Sequence, residues 1–171
     1  MKTVYLSLGS NVGNREENLQ RAIDLLDGPR LRPARCSPVY ETEPQDLPDQ
    51  PWFLNLVLEA LTDWFPVQLL SQTAGVERQL GRERRQAKGP RNIDIDILLY
   101  GRFLIRTPEL EIPHPRLHLR RFVLQPLADL APDLRHPGLR QPVRQLLAGV
   151  HGQSVRRAAF MPRLRAEEPA S

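Results

Sequence analysis

Apolar positions recur with two different periods along this chain, and the switches between them mark out its elements. Thr3 to Leu8 is a short apolar run that ends at Gly9-Ser10-Asn11, with Gly13-Asn14 close behind, which predicts a strand running into a turn. Asn14 can cap the helix that follows, where Glu16 and Glu17 sit favourably in the first turn. Leu19, Ile23 and Leu26, widened by Ala22 and Leu25, recur at helical spacing until Asp27-Gly28-Pro29 stops the pattern. Ala34 to Thr42 reads as a second strand and Trp52 to Leu61 as a third, apolar on both faces except at Asn55. Pro66 opens a second helix through about Leu80, with Leu69, Leu70, Thr73, Val76 and Leu80 on one face and Gly81 at its end. Ile93, Ile95 and Ile97 then alternate with Asp94 and Asp96, the period of a half-buried strand. The order strand, helix, strand, strand, helix, strand is the α+β, ferredoxin-like split βαβ layout. It predicts an antiparallel sheet with helices on one face and a free face for ligands. A short strand at Phe103–Ile105, short amphipathic helices at Phe122–Leu130 and Val143–Leu147, and an extra C-terminal hairpin are expected additions. With no repeat or linker, residues 1–160 read as a single catalytic domain and 161–171 as a flexible tail.

The Asp strand changes the picture from fold to chemistry. Its period places Asp94 and Asp96 on one face, roughly 6–7 Å apart at Cα. Aspartate is disfavoured in strands, so a pair of them is a local conflict of the kind that function imposes. Two such carboxylates repel unless a cation sits between them. Mg²⁺ suits them, because it takes one or two carboxylates and fills its shell with water and substrate phosphate. Arg82, Arg84, Arg85, Lys88 and Arg91 precede the strand among Gly81, Gly89 and Pro90, a basic loop suited to polyphosphate. Glu43 to Pro51 is a long polar loop. Buried, the Asn55 amide needs partners, which a heterocycle with donors and acceptors supplies. Glu77 reads either as a surface ion pair with Arg78 or Arg84 or as a ligand contact. His114, held between Pro113 and Pro115, is either a loop residue or a phosphate donor. Arg116, Arg120 and Arg121 form a second basic cluster.

Composition adds bounds. The 171 residues suffice for one domain with a real core. A net charge of +4 suits an anionic partner, nucleotide or nucleic acid. The single cysteine, Cys36, excludes an internal disulfide and fits a reducing cytosol. The start shows no signal-peptide or membrane-span pattern, so a cytoplasmic, membrane-free protein is expected.

At this point a family resemblance appears. Its pieces are Tyr5-Leu6-Ser7-Leu8-Gly9-Ser10-Asn11, Ser37-Pro38-Val39-Tyr40-Glu41-Thr42-Glu43-Pro44, Gln50-Pro51-Trp52-Phe53-Leu54-Asn55, Glu77-Arg78-Gln79-Leu80-Gly81-Arg82, Gly89-Pro90-Arg91-Asn92-Ile93-Asp94-Ile95-Asp96 and Ile112-Pro113-His114-Pro115-Arg116. In this order they resemble the 6-hydroxymethyl-7,8-dihydropterin pyrophosphokinase family of folate biosynthesis. The resemblance implies transfer of diphosphate from ATP to the hydroxymethyl group of the dihydropterin, releasing AMP. It implies that Asp94 and Asp96 hold two Mg²⁺ ions and that Arg82 and Arg91 act catalytically on the phosphates. Arg84 and Arg85 would close over ATP, with Glu77, Ile97, His114, Arg116 and Arg120 also on the ATP side. The pterin would stack between Phe53 and Phe122, with Asn55 on its ring edge and backbone groups around Thr42, Pro44 and Gln45. Ala74, Lys88 and Arg116 stand where some members carry glutamine, an aromatic and tyrosine. A monomer acting on small molecules, without nucleic acid, is expected. The competing readings are a ferredoxin-like nucleic-acid-binding module and a different Mg²⁺-dependent phosphotransferase.

Overall fold

Two long strands form the centre of the molecule: β1 (Lys2–Ser10) and β4 (Phe53–Thr62) pair antiparallel from Lys2 opposite Thr62 to Ser10 opposite Leu54. The structure, a computed structural model, describes residues 1–44, 49–81 and 92–165. Between the central strands runs α1 (Arg15–Leu26), capped by Asn14, whose side-chain oxygen accepts the Glu17 N–H at 3.1 Å. Next come β2 (Leu31–Cys36) and β3 (Tyr40–Thr42), which pair with opposite ends of β4. The single strand expected over Ala34–Thr42 is therefore two. The reason is local: Pro38 has no N–H to offer a ladder, and the Val57 N–H is accepted at 2.8 Å by the buried Ser37 hydroxyl rather than by a strand carbonyl.

After β4, α2 (Pro66–Gln79) leads back to β5 (Asp94–Tyr100), which pairs antiparallel with the free side of β1. The sheet order is β5-β1-β4-β3, with β2 also on β4, the ferredoxin-like arrangement. Gly9 and Ser10 lie inside β1 rather than in the turn after it. A small hairpin follows, β6 (Ile105–Arg106) against β7 (Glu111–Ile112), so the short strand begins two residues later than the expected Phe103. Then come α3 (Arg121–Leu130) and α4 (Val143–Ala148). A last strand, β8 (Val155–Arg157), joins the outer edge of β3. Beyond it Gln20 of α1 donates to the Arg163 carbonyl and accepts the Arg163 N–H, at 2.9 and 2.8 Å. Residues 166–171 of the expected tail lie outside the described residues.

The sheet has two unlike faces. Val4, Leu6 and Leu8 of β1 pack with Leu19 and Ile23 of α1 and Leu69 and Val76 of α2 in the main core. On the opposite face, Tyr5, Val57 and Leu99 pack under Val123, Leu124 and Leu127 of α3 and Val143 and Leu146 of α4. That face was expected to be free. It is covered at the Tyr5 end because α3 and α4 carry a second apolar stripe, and it is left to polar residues at the Gly9 end. The side chain of Tyr40 on β3 hydrogen-bonds Asp129 of α3, tying the covering helix to the sheet. Among the described residues no helix is long and apolar enough to cross a membrane.

Candidate active site

The polar end of that face is built by strand register. Gly9 is opposite Asp94 on one side and opposite Asn55 on the other, and Asn55 is in turn opposite Tyr40. Directly opposed residues share a face, so Asp94, Gly9, Asn55 and Tyr40 form one row across four strands. The next row towards the covering helices holds Asp96, Ser7 and Val57. The period of two thus sets both carboxylates on the ligand-facing side, half-exposed, while Ile93, Ile95 and Ile97 are buried on the other.

Two groups fasten the outer edge of this strand. Glu77, at the end of α2 and only 8% exposed, accepts the Ile95 N–H with Oε2 at 3.0 Å. Its carboxylate thereby satisfies, from a buried position, an edge amide between the two aspartates. Glu77→Ala leaves that amide without its acceptor and is expected to cost about 1–3 kcal/mol of stability. Glu77→Gln keeps an acceptor and is expected to lose less; urea unfolding of both variants checks this. On the same edge the His114 N–H donates to the Leu98 carbonyl at 3.0 Å, after a cis Ile112–Pro113 peptide. Ile97 differs from its expected role: its side chain is 5% exposed in the main core, so only its backbone, on the outer edge of β5, can meet a ligand.

His114 gathers the charges of the site. Burial pushes its pKa from 6.5 to about 4, with the nearby Arg120 and Arg116 guanidiniums acting in the same direction and Asp94 against them. Its Nδ1 accepts the Arg116 N–H at 3.1 Å. The neutral ring therefore carries its proton on Nε2, as a donor. The folded pKa lies below the unfolded one, so the unfolded chain binds more protons between them. The stability that His114 contributes is fully present above pH 6.5 and is lost as pH falls towards about 4. An NMR titration of the His114 ring is expected to show a midpoint near 4; one near 6.5 contradicts this environment.

The other half of the site centres on Asn55. Asn55 is 4% exposed and donates from Nδ2 to the Thr42 hydroxyl at 2.5 Å. Its Oδ1 lies 2.5 Å from where a side chain at Gly9 would begin, and the Phe53 ring lies 3.4 Å from the same point. Pro44 is buried beside Thr42 in sequence. Phe122 sits in the first turn of α3, with the Arg120 guanidinium 5.4 Å above its ring. Arg120 thus stands between Phe122 and His114 and joins the two halves. The structure therefore brings Asp94, His114, Arg116 and Arg120 near one another with Asp96 on the same side of β5, and gathers Thr42, Phe53 and Asn55 beside Gly9, while Phe122 stands at the start of α3 beside Arg120. Arg82, Arg84, Arg85, Lys88, Arg91 and Gln45 lie outside the described residues. Gly9, expected at the turn, lies within the strand, and its alternation with Ser7 and Tyr5 is the signal that puts it there.

The donor set fits Mg²⁺. Among the described residues, no three His, Cys, Asp or Glu side chains gather as a metal cage. Two carboxylates on one exposed face are what an ion needs when it draws its remaining ligands from water and phosphate.

A family model described as 7,8-dihydro-6-hydroxymethylpterin-pyrophosphokinase (HPPK) matches residues 5–132. The chain belongs to this family. Among relatives of the HPPK family, the 2-amino-4-hydroxy-6-hydroxymethyldihydropteridine pyrophosphokinase of Aquifex aeolicus is 44% identical over 145 residues, covering 85% of this chain and 90% of the relative. The Pseudomonas aeruginosa protein of the same name is 40% identical over 158 residues, covering 92% and 97%. The folic acid synthesis protein fol1 of Schizosaccharomyces pombe is 42% identical over 158 residues, and there this chain spans only 21% of the relative's length. Among solved structures, the Plasmodium falciparum HPPK-DHPS protein superposes with a TM-score of 0.70 at 18% identity, over 86% of this chain and 43% of that one. That likeness confirms the fold.

Proposed function

We propose that the protein transfers a diphosphate from ATP to the hydroxymethyl group of 6-hydroxymethyl-7,8-dihydropterin and releases AMP, a step of folate biosynthesis. The row Asp94–Gly9–Asn55 carries this reading. Neighbouring strands are about 4.8 Å apart, so the metal-binding carboxylate and the ring-reading amide stand roughly 10 Å apart across a residue with no side chain. A hydroxymethyl group and a phosphate fit over that glycine. The HPPK family membership and the relatives' names support the same reaction.

The chain's own groups have distinct tasks. The slot of Phe53, Asn55, Thr42 and Phe122 holds the flat ring and presents its hydroxymethyl oxygen towards the aspartates. That oxygen attacks the β-phosphorus, the bond from β-phosphorus to the α-bridging oxygen breaks, AMP leaves, and the hydroxyl proton passes to water. Neutral His114 donates from Nε2 to a phosphate oxygen, while Arg116 and Arg120 bring positive charge to the same side. Asp94 and Asp96 would hold two Mg²⁺ ions, which neutralise polyphosphate charge and lower the pKa of the attacking hydroxyl. Arg82, Arg84, Arg85 and Arg91 would close on the phosphates, as the family resemblance implies. A face carrying two aspartates disfavours a nucleic-acid backbone. Burial pushes the Cys36 thiol to about 12, which makes it inert and suits a cytosolic setting without disulfide chemistry.

The test is to mix the protein with ATP, Mg²⁺ and the dihydropterin and identify the nucleotide released. AMP in step with pterin diphosphate is expected. ADP, or no pterin-dependent turnover, contradicts the proposal.

A further inference from the structure

The C-terminal strand touches both walls of the slot described above. On one side β8 extends the sheet at β3, with Val155 opposite Thr42 and Arg156 opposite Glu41, and the Ser154 N–H donates to the Glu43 carboxylate at 2.9 Å. On the other side Gln153 reaches the start of α3. Its Oε1 accepts the Arg121 N–H at 2.8 Å, its Nε2 donates to the Leu119 carbonyl at 3.0 Å, and its own carbonyl accepts from the Arg121 guanidinium at 3.1 Å. These bonds grip the backbone on either side of Arg120, two residues before Phe122. The N-cap residue of α3, Arg120, makes no side-chain capping bond. Gln153 therefore supplies the acceptor that the first turn of the helix lacks.

We propose that Gln153 is a positioning residue for the pterin, fixing the gap between Phe122 on α3 and the Thr42–Phe53 wall. The inference rests on reading that slot as the pterin site. Gln153 belongs to a segment with no apolar period, joined to β3 and the start of α3 through these hydrogen bonds and the Arg156–Glu41 ion pair. Because Ser154 is bound to the Thr42 end of β3 and Gln153 to α3, one peptide link spans the opening. Loss of the Gln153 side chain removes two of the bonds that hold α3 to this strap, so the stacking partner drifts while the aspartates stay in place on β5.

The test is steady-state kinetics of the full chain with Gln153→Ala, Gln153→Glu and, as a control at an exposed position two residues earlier, His151→Ala. Gln153→Ala is expected to raise KM for the pterin roughly tenfold, the equivalent of two ordinary hydrogen bonds. Its kcat should stay within about twofold, the pattern of lost uniform binding. Gln153→Glu keeps the acceptor for the Arg121 N–H and should recover part of the loss, while His151→Ala should leave KM unchanged. A Gln153→Ala protein that melts earlier yet keeps the wild-type pterin KM overturns the positioning role, as does an equal rise in His151→Ala. If the wild type itself shows no pterin-dependent turnover, the slot is misread and the inference falls with it.

Discussion

Asp96→Ala is expected to lower kcat by roughly a thousandfold, about 4 kcal/mol of transition-state stabilisation, with the fold retained. The size follows from position. Asp96 shares the ligand-facing side of β5 with Asp94, opposite Ser7, and the sheet buries only its neighbours Ile95 and Ile97. Removing one of two carboxylates leaves half of the donor set that docks a metal–polyphosphate. The metal's effect grows as charge develops on the transferring group, so the loss falls on kcat more than on pterin binding. The side chain is half-exposed and the ladder between β1 and β5 is made by backbone groups, so circular dichroism and the melting transition should change little. Near-normal kcat in this variant would remove the carboxylate from the chemistry.

Gly9→Ala is expected to damage pterin binding far more than an added methyl suggests. The new Cβ would sit 2.5 Å from Asn55 Oδ1, closer than nonbonded atoms approach, and 3.4 Å from the Phe53 ring. Asn55 has little freedom to retreat, because it is 4% exposed and bound to the Thr42 hydroxyl. Overpacking of this kind costs about 1–3 kcal/mol. Here the strain falls on the amide that reads the ring edge and on the aromatic that stacks against it. The pterin KM should rise by at least roughly tenfold, since a misplaced amide leaves buried polar groups unpaired, while the affinity for an ATP analogue changes little. Equal loss of both ligands would show general unfolding instead, and an unchanged pterin KM would show that the amide does not touch the ring.

Most of the scaffold is legible in the sequence because it is written in short-range periods. The alternation of Ile93, Ile95 and Ile97 with Asp94 and Asp96 gives the strand and its two faces, and Asn14 and Pro66 mark their helix starts. The need of Asn55 for partners is also visible. The structure answers half of it with Thr42, and the other half, Oδ1, faces the site across Gly9. What the sequence hides depends on tertiary pairing. The break at Ser37–Val39 appears only when the Ser37 hydroxyl finds the Val57 N–H. Glu77 looks like a surface charge until α2 lays its last turn along the edge of β5. The segment around Val155 has no apolar period and becomes a strand only because β3 offers it a free edge. The cover over the Tyr5 end of the second face follows from the stripes of α3 and α4, whose docking no local pattern announces.

The central claim is that Asp94 and Asp96, sharing one side of β5, dock a divalent ion together with the nucleotide, across Gly9 from Asn55. Mn²⁺ binding followed by electron paramagnetic resonance, with a non-hydrolysable ATP analogue, addresses it directly. The wild type is expected to take up Mn²⁺ with the analogue, and Asp94→Asn combined with Asp96→Asn to lose that uptake while folding normally. Undiminished Mn²⁺ uptake by the folded double variant would contradict the account.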